Sequence, residues 1–200
     1  MLKGSQALLS SILAPSLSEG ITQSTNTGPT QIPFQNATMS SPSSTSQQTL
    51  AAAAAPQPLR LSLVNKLNSN NVHAYVSALD ASGKVVMLQP DGNFYYLPET
   101  GSPIPQAITA NVAIRLPAQG QSLEIAIPGF VAGARVWFAD GTLEFAVVAS
   151  VNGPALVEPT AVNPDDASAD TNWGFVELAY VEGYGLFANL SFVDFIGEYI

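Results

Sequence analysis

The sequence has no cysteine. Disulfides, thiolate zinc sites and a cysteine nucleophile are therefore excluded. Histidine occurs once, at His73, which argues against a histidine-based triad or a multi-histidine metal site. His73 lies in the alternating run VHAYVSAL and reads as a strand residue. Charge is also scarce. Only 10% of the 200 residues are charged, against about 25% in ordinary soluble domains. Basic charge is scarcest, with six Lys and Arg against 15 carboxylates and a net charge of −9. The pI is about 4.2. The six cations, Lys3, Arg60, Lys66, Lys84, Arg115 and Arg135, are scattered along the chain. Counterion-release binding to nucleic acid needs them clustered, so neither nucleic acid nor an anionic membrane surface is an expected partner. No apolar run is long enough to cross a membrane as a helix. The opening MLKGSQALLSSILAPSLSEG has one lysine and an apolar patch broken by Ser10 and Ser11. It lacks the solid apolar centre of a secretory signal. No metal or cofactor is expected.

What is present divides in two. Residues 1–57 are rich in Ser, Thr, Gln, Pro and Ala, as in SSPSSTSQQTLAAAAAPQ, and between Lys3 and Arg60 the one charged residue is Glu19. Such a composition buries too little apolar surface to offset the entropy of ordering, so a disordered low-complexity tail is expected. It reads as a flexible linker or as an O-glycosylated stalk. Asn36-Ala37-Thr38 is an N-glycosylation triplet.

Residues 58–200 read as one β domain. LRLSLVNK and VHAYVSAL alternate apolar and polar residues, the mark of half-buried strands. Turn signals follow at Asn68-Ser69-Asn70, Ala81-Ser82-Gly83, Pro90-Asp91-Gly92, Pro128-Gly129 and Ala139-Asp140-Gly141. Between them lie KVVMLQ, NFYYLP, NVAIRLP, SLEIAIP, ARVWFA and TLEFAVVAS. Short strands so spaced predict an all-β sandwich or barrel. Residues 151–172, with Pro154, Pro159 and Pro164, read as a long loop. Its acidic cluster, Asp165, Asp166 and Asp170, reads either as a solvated connector or as part of a binding loop. The spacing is not that of an EF-hand. WGFVELAY and LFANLSFVDF then form an expected hairpin.

Glu177 and Asp194 each interrupt one of these last apolar strands. A buried carboxylate is normally paired, neutralised or held in a cleft, and no Lys or Arg follows Arg135, so neither is expected to have a cation. Two carboxylates facing one cleft suit glycoside hydrolysis. A two-residue loop at Gly183-Tyr184 would pair Glu177 with Leu190 and bring Asp194 to the same face. The Cα separation would be about 13 Å along a flat ribbon, leaning side chains being needed to reach the roughly 6.5–9.5 Å of an inverting pair. An odd-length loop would put the two on opposite faces.

The segment LRLSLVNKLNSNNVHAYVSALDASGKVVMLQPDGNFYYLP resembles the opening of the glycoside hydrolase family 64 domain, the thaumatin-like endo-β-1,3-glucanases. Leu61, Val64, Asn65, Ala74-Tyr75-Val76, Asp80, Gly83, Asp91-Gly92 and Tyr95-Tyr96 fill the family's frame. IAIPGFVAGARVWFADGTLEFAV and the terminal segment are similar to later family motifs, so the resemblance runs from 59 to 200. It implies a thaumatin-like β-sandwich, Glu177 as general acid and Asp194 as general base of an inverting mechanism. Trp173, Tyr180 and Tyr184 would be sugar-stacking residues. It further implies cell-wall β-1,3-glucan as the partner, a secreted protein, and a monomer. The triplet Asn189-Leu190-Ser191, so near Asp194, reads as unmodified. Two departures stand out. Leu178-Ala179 replaces the family's pattern after the glutamate. The sequence also ends soon after the aspartate, where family domains continue into a second α/β lobe. The expectation is therefore the N-terminal portion of such a domain, with a non-catalytic β-glucan-binding module or inactive fragment as the alternative.

Overall fold

The computed structural model describes residues 57–189 together with Ile12 and Leu13. The remainder of the expected tail, and the stretch containing Asp194, lie outside the described residues. No helix occurs among those described. The strands are β1 (Ile12–Leu13), β2 (Leu59–Val64), β3 (Val72–Asp80), β4 (Val85–Leu88), β5 (Phe94–Tyr96), β6 (Gln106–Ala107) and β7 (Ile114–Arg115). They continue with β8 (Ser122–Ile127), β9 (Val131–Asp140), β10 (Ala146–Ser150), β11 (Gly153–Val157), β12 (Asn172–Val181) and β13 (Gly185–Asn189).

They form three antiparallel sheets, which is the expected all-β class. The largest has seven strands in the order β13-β12-β9-β3-β4-β5, with β7 pairing to β3. Its strands alternate, and both sets of side chains are covered. Val72, Ala74, Val76, Val136, Phe138, Val176 and Leu178 pack with Leu59, Leu61, Leu63 and Ile127 from the β1-β2-β8 sheet. Tyr75, Met87, Trp137 and Ala139 point the other way, toward Leu143, Phe145 and Leu156 beside the β11-β10-β6 sheet. The middle strands β3 and β9 thus have a face to bury on each side, which is why they carry apolar residues at both odd and even positions, while the edge strand β13 is largely exposed.

Two elements differ from the sequence reading. Residues 151–172 are not a loop throughout, because Gly153–Val157 pair with β10. Pro154 is accommodated because β11 is an edge strand, where a missing N–H costs no ladder bond. Ile12 and Leu13, within the expected tail, pair with Leu63 and Ser62 of β2.

Strand β9 carries an extra residue. Its register shifts against β3 between Ser77 and Leu79, and against β12 between Leu178 and Tyr180. Both shifts fall at Ala132–Ala134, where Gly133 adopts φ +52°. One bulge therefore re-aims β9 relative to both neighbours. Arg135 is the first residue beyond it to regain regular pairing with both.

Candidate active site

Glu177 stands on β12 directly opposite Arg135 of β9, and Arg135 stands opposite Ser77 of β3. The three form a polar row across the face that also carries Trp137, Trp173 and Phe175. The expectation that Glu177 has no cation is corrected here. The cation comes from a neighbouring strand rather than from nearby sequence: Arg135 Nε donates to Glu177 Oε1 at 3.3 Å. A second carboxylate, Glu158, follows β11 and pairs with Arg135 Nη1. Its Oε1 accepts a hydrogen bond from Ser77 Oγ at 2.9 Å, and Ser77 Oγ in turn accepts from Trp137 Nε1 at 3.1 Å. The guanidinium lies 4.9 Å from the Phe175 ring centroid and 5.8 Å from that of Trp137, within cation–π range.

Side-chain exposures of 31% for Arg135, 25% for Glu158 and 36% for Glu177 decide how this cluster behaves. It is too covered to be a screened surface pair. It is also too open to bear the full desolvation cost of buried ions. The charges face a cleft and remain reachable.

Next to them is a cleft of about 190 Å³ lined by Arg135, Trp137, Trp173 and Phe175 on the sheet side and Pro159–Val162 on the other. The loop that supplies this lip is held by Asp166. Its Oδ1 accepts from Ser168 N at 2.8 Å and its Oδ2 from Thr160 N at 3.3 Å. Buried Ser168 ties the same loop to Glu144 N through Oγ, at 3.0 Å. Of the acidic cluster, then, Asp166 shapes the lip, while Asp165 and Asp170 are exposed. No cluster of three or more metal-ligating side chains occurs among the described residues.

The other sequence-derived candidates separate. Trp173 shares Glu177's face, half-buried, with its ring centroid 5.4 Å from that of Trp137. Tyr180 packs instead against the core on the opposite face. It lies 4.9 Å from Phe130, ring to ring, and its hydroxyl donates to Gln57 O at 3.2 Å. Alternation along β12 accounts for this placement, since Tyr180 follows Val176 and Leu178 to one face while Trp173, Phe175 and Glu177 take the other. Tyr184 is 79% exposed in the β12–β13 loop. That loop has three residues, Glu182 to Tyr184, and not the two that the favourable register requires. Tyr184 N donates to Val181 O at 3.1 Å and Gly183 takes φ +74°, a tight turn that needs glycine at its third position. Glu177 consequently faces Asn189 and not Leu190. Asp194 lies outside the described residues. His73 is a strand residue as expected, its Nδ1 bonded to Gly141 O at 2.8 Å.

Sequence reasoning missed Arg135, Glu158 and Ser77. The signal for Arg135 was present in ARVWFA, where alternation puts an arginine on the same face as Trp137. Nothing local marked Glu158, which reaches the row across the fold.

The profile of the glycoside hydrolase 64 β-1,3-glucanases matches residues 57–200. The chain belongs to that family. Among solved structures it is similar to a laminaripentaose-producing β-1,3-glucanase in complex with laminaritetraose, at 26% identity and a TM-score of 0.57. The match covers 67% of this chain and 35% of that one. It is also similar to a family 64 β-1,3-glucanase domain from Clostridium beijerinckii, at 15% identity and a TM-score of 0.48, covering 65% of this chain and 37% of that one. The chain thus spans little more than a third of the length of these family members. No curated protein matches it.

Proposed function

We propose that this chain is the acid-bearing part of an endo-β-1,3-glucanase that cleaves internal bonds of cell-wall β-1,3-glucan with inversion. The observation that supports this best is the placement of Glu177. It is the position that resembles the family's general acid, it is partly exposed, and it lies on the face that carries the tryptophan-lined cleft. In this reading Glu177 gives its proton to the glycosidic oxygen as the bond to the anomeric carbon breaks. Asp194 takes a proton from the water that adds to that carbon from the opposite side. Trp173 offers a stacking surface to a flat pyranose face. Tyr180 has no part in this, being turned to the core. The working protein is a secreted monomer.

The test is release of soluble oligosaccharides from insoluble β-1,3-glucan by the purified chain, with Glu177→Gln alongside. Release by the parent and a loss of at least about 100-fold in the variant is expected. Glucan binding by both, without release by either, would replace the enzyme reading with that of a binding module.

A further inference from the structure

Within the reading of Glu177 as general acid, one feature of the row is unaccounted for. A general acid must carry a proton, yet the Glu177 oxygen that meets Arg135 faces a group that only donates. The geometry contains a resolution. Both oxygens of Glu158 are occupied as acceptors, Oε1 by Ser77 Oγ and Oε2 by Arg135 Nη1. That arrangement suits an anion and leaves no place for a proton. Glu177 differs, because Arg135 meets only its Oε1, and no described residue bonds its Oε2.

We infer that Glu158 is the resident counter-ion of Arg135, and that Arg135 acts as a positioning residue which fixes Glu177 through Oε1 so that the transferable proton sits on Oε2. A guanidinium only donates and does not deprotonate, so the oxygen it faces is an acceptor in either state of Glu177. With Glu158 ionised, the cation is already balanced when Glu177 is protonated. Ser77, held by Trp137, keeps Glu158 in place. The stacking of Arg135 on Phe175 and Trp137 keeps the guanidinium plane from following Glu177 when that side chain changes charge. The described charged groups that face Glu177 are Arg135 from β9 and, through it, Glu158 after β11. Strand β13 presents the neutral Asn189.

The experiment is a carboxyl ¹³C titration of the glutamates in the full chain, with Glu177 assigned by the signal missing from Glu177→Gln. Glu158→Gln keeps the size of the side chain and can still accept from Ser77, so it spares the fold. In it, Glu177 becomes the sole counter-ion of Arg135, and its titration midpoint is expected to fall relative to the parent chain. Arg135→Gln is expected to raise it, and Arg135→Lys to restore the parent midpoint in part. An unchanged Glu177 midpoint in folded Glu158→Gln would overturn the inference. Turnover gives a second readout. Glu158→Gln is expected to lower kcat more than it changes KM, and to move the alkaline limb of the pH profile to lower pH. A chain in which Glu177→Gln still releases sugar would overturn the general-acid reading. The midpoints would still report whether Glu158 balances Arg135.

Discussion

Asn65 illustrates how a single polar side chain can fix loops at the edge of a core. It is fully buried, and its Nδ2 donates to Ser69 O at 3.0 Å and Pro117 O at 2.8 Å. Its Oδ1 accepts from Leu67 N at 2.9 Å. Asn65→Ala strands three backbone groups at once. It is expected to lower the unfolding free energy by about 3 kcal/mol, read from urea titration. Asp80 works at the surface. Partial burial pushes its carboxyl up, but the backbone N–H groups of Lys84 and Ser82 and the hydroxyls of Ser82 and Tyr96 outweigh this and hold it below the ordinary 3.8. A depressed folded-state value stabilises the protein above the unfolded value and loses that contribution as pH falls through the folded one. Asp80→Asn should therefore lower the urea midpoint at neutral pH. The gap between parent and variant should close in acid, below about 3.8. A gap of constant size across that range would show that the carboxylate charge contributes nothing.

At the scale of elements, most strands were legible because alternation and turn chemistry are local. The runs from LRLSLVNK to TLEFAVVAS each contain an observed strand. Strand β11 was not legible, since its proline is acceptable only at a sheet edge, and edges are set by topology. The site was half legible. Glu177 and Trp173 show as a carboxylate and an aromatic two register steps apart on one strand. The pairing of Glu177 with Arg135 depends on which strands become neighbours and comes just after the bulge in β9, whereas the side taken by Tyr180 follows from alternation along β12. That bulge can be tested directly. A Cβ on Gly133 would meet nothing within 4 Å, so Gly133→Ala carries only the backbone cost of φ +52°. A loss of about 1 kcal/mol in unfolding free energy is expected. A neutral result would mean that β9 keeps its bulge without glycine.

At the scale of the molecule, the central sheet is covered on both faces, so its three-sheet arrangement is expected to come apart in one step. The chain's two tryptophans, Trp137 and Trp173, lie close enough to couple. They should give an exciton couplet in the far-ultraviolet circular dichroism that Trp173→Phe abolishes. In urea that couplet and the overall strand signal should be lost together. Loss of the couplet first would show that the cleft loosens ahead of the core. Strand β9 has a partner along each edge, β3 and β12, and packed side chains above and below. Its amides beyond the bulge have no route to solvent short of unfolding. In deuterated buffer they should be among the last in the protein to exchange, at a rate that reports the global opening. Arg135 is mounted on that strand. The anchor of the charged row would then persist as long as the folded domain does, even while the loop of the cleft lip and the β12–β13 turn exchange freely.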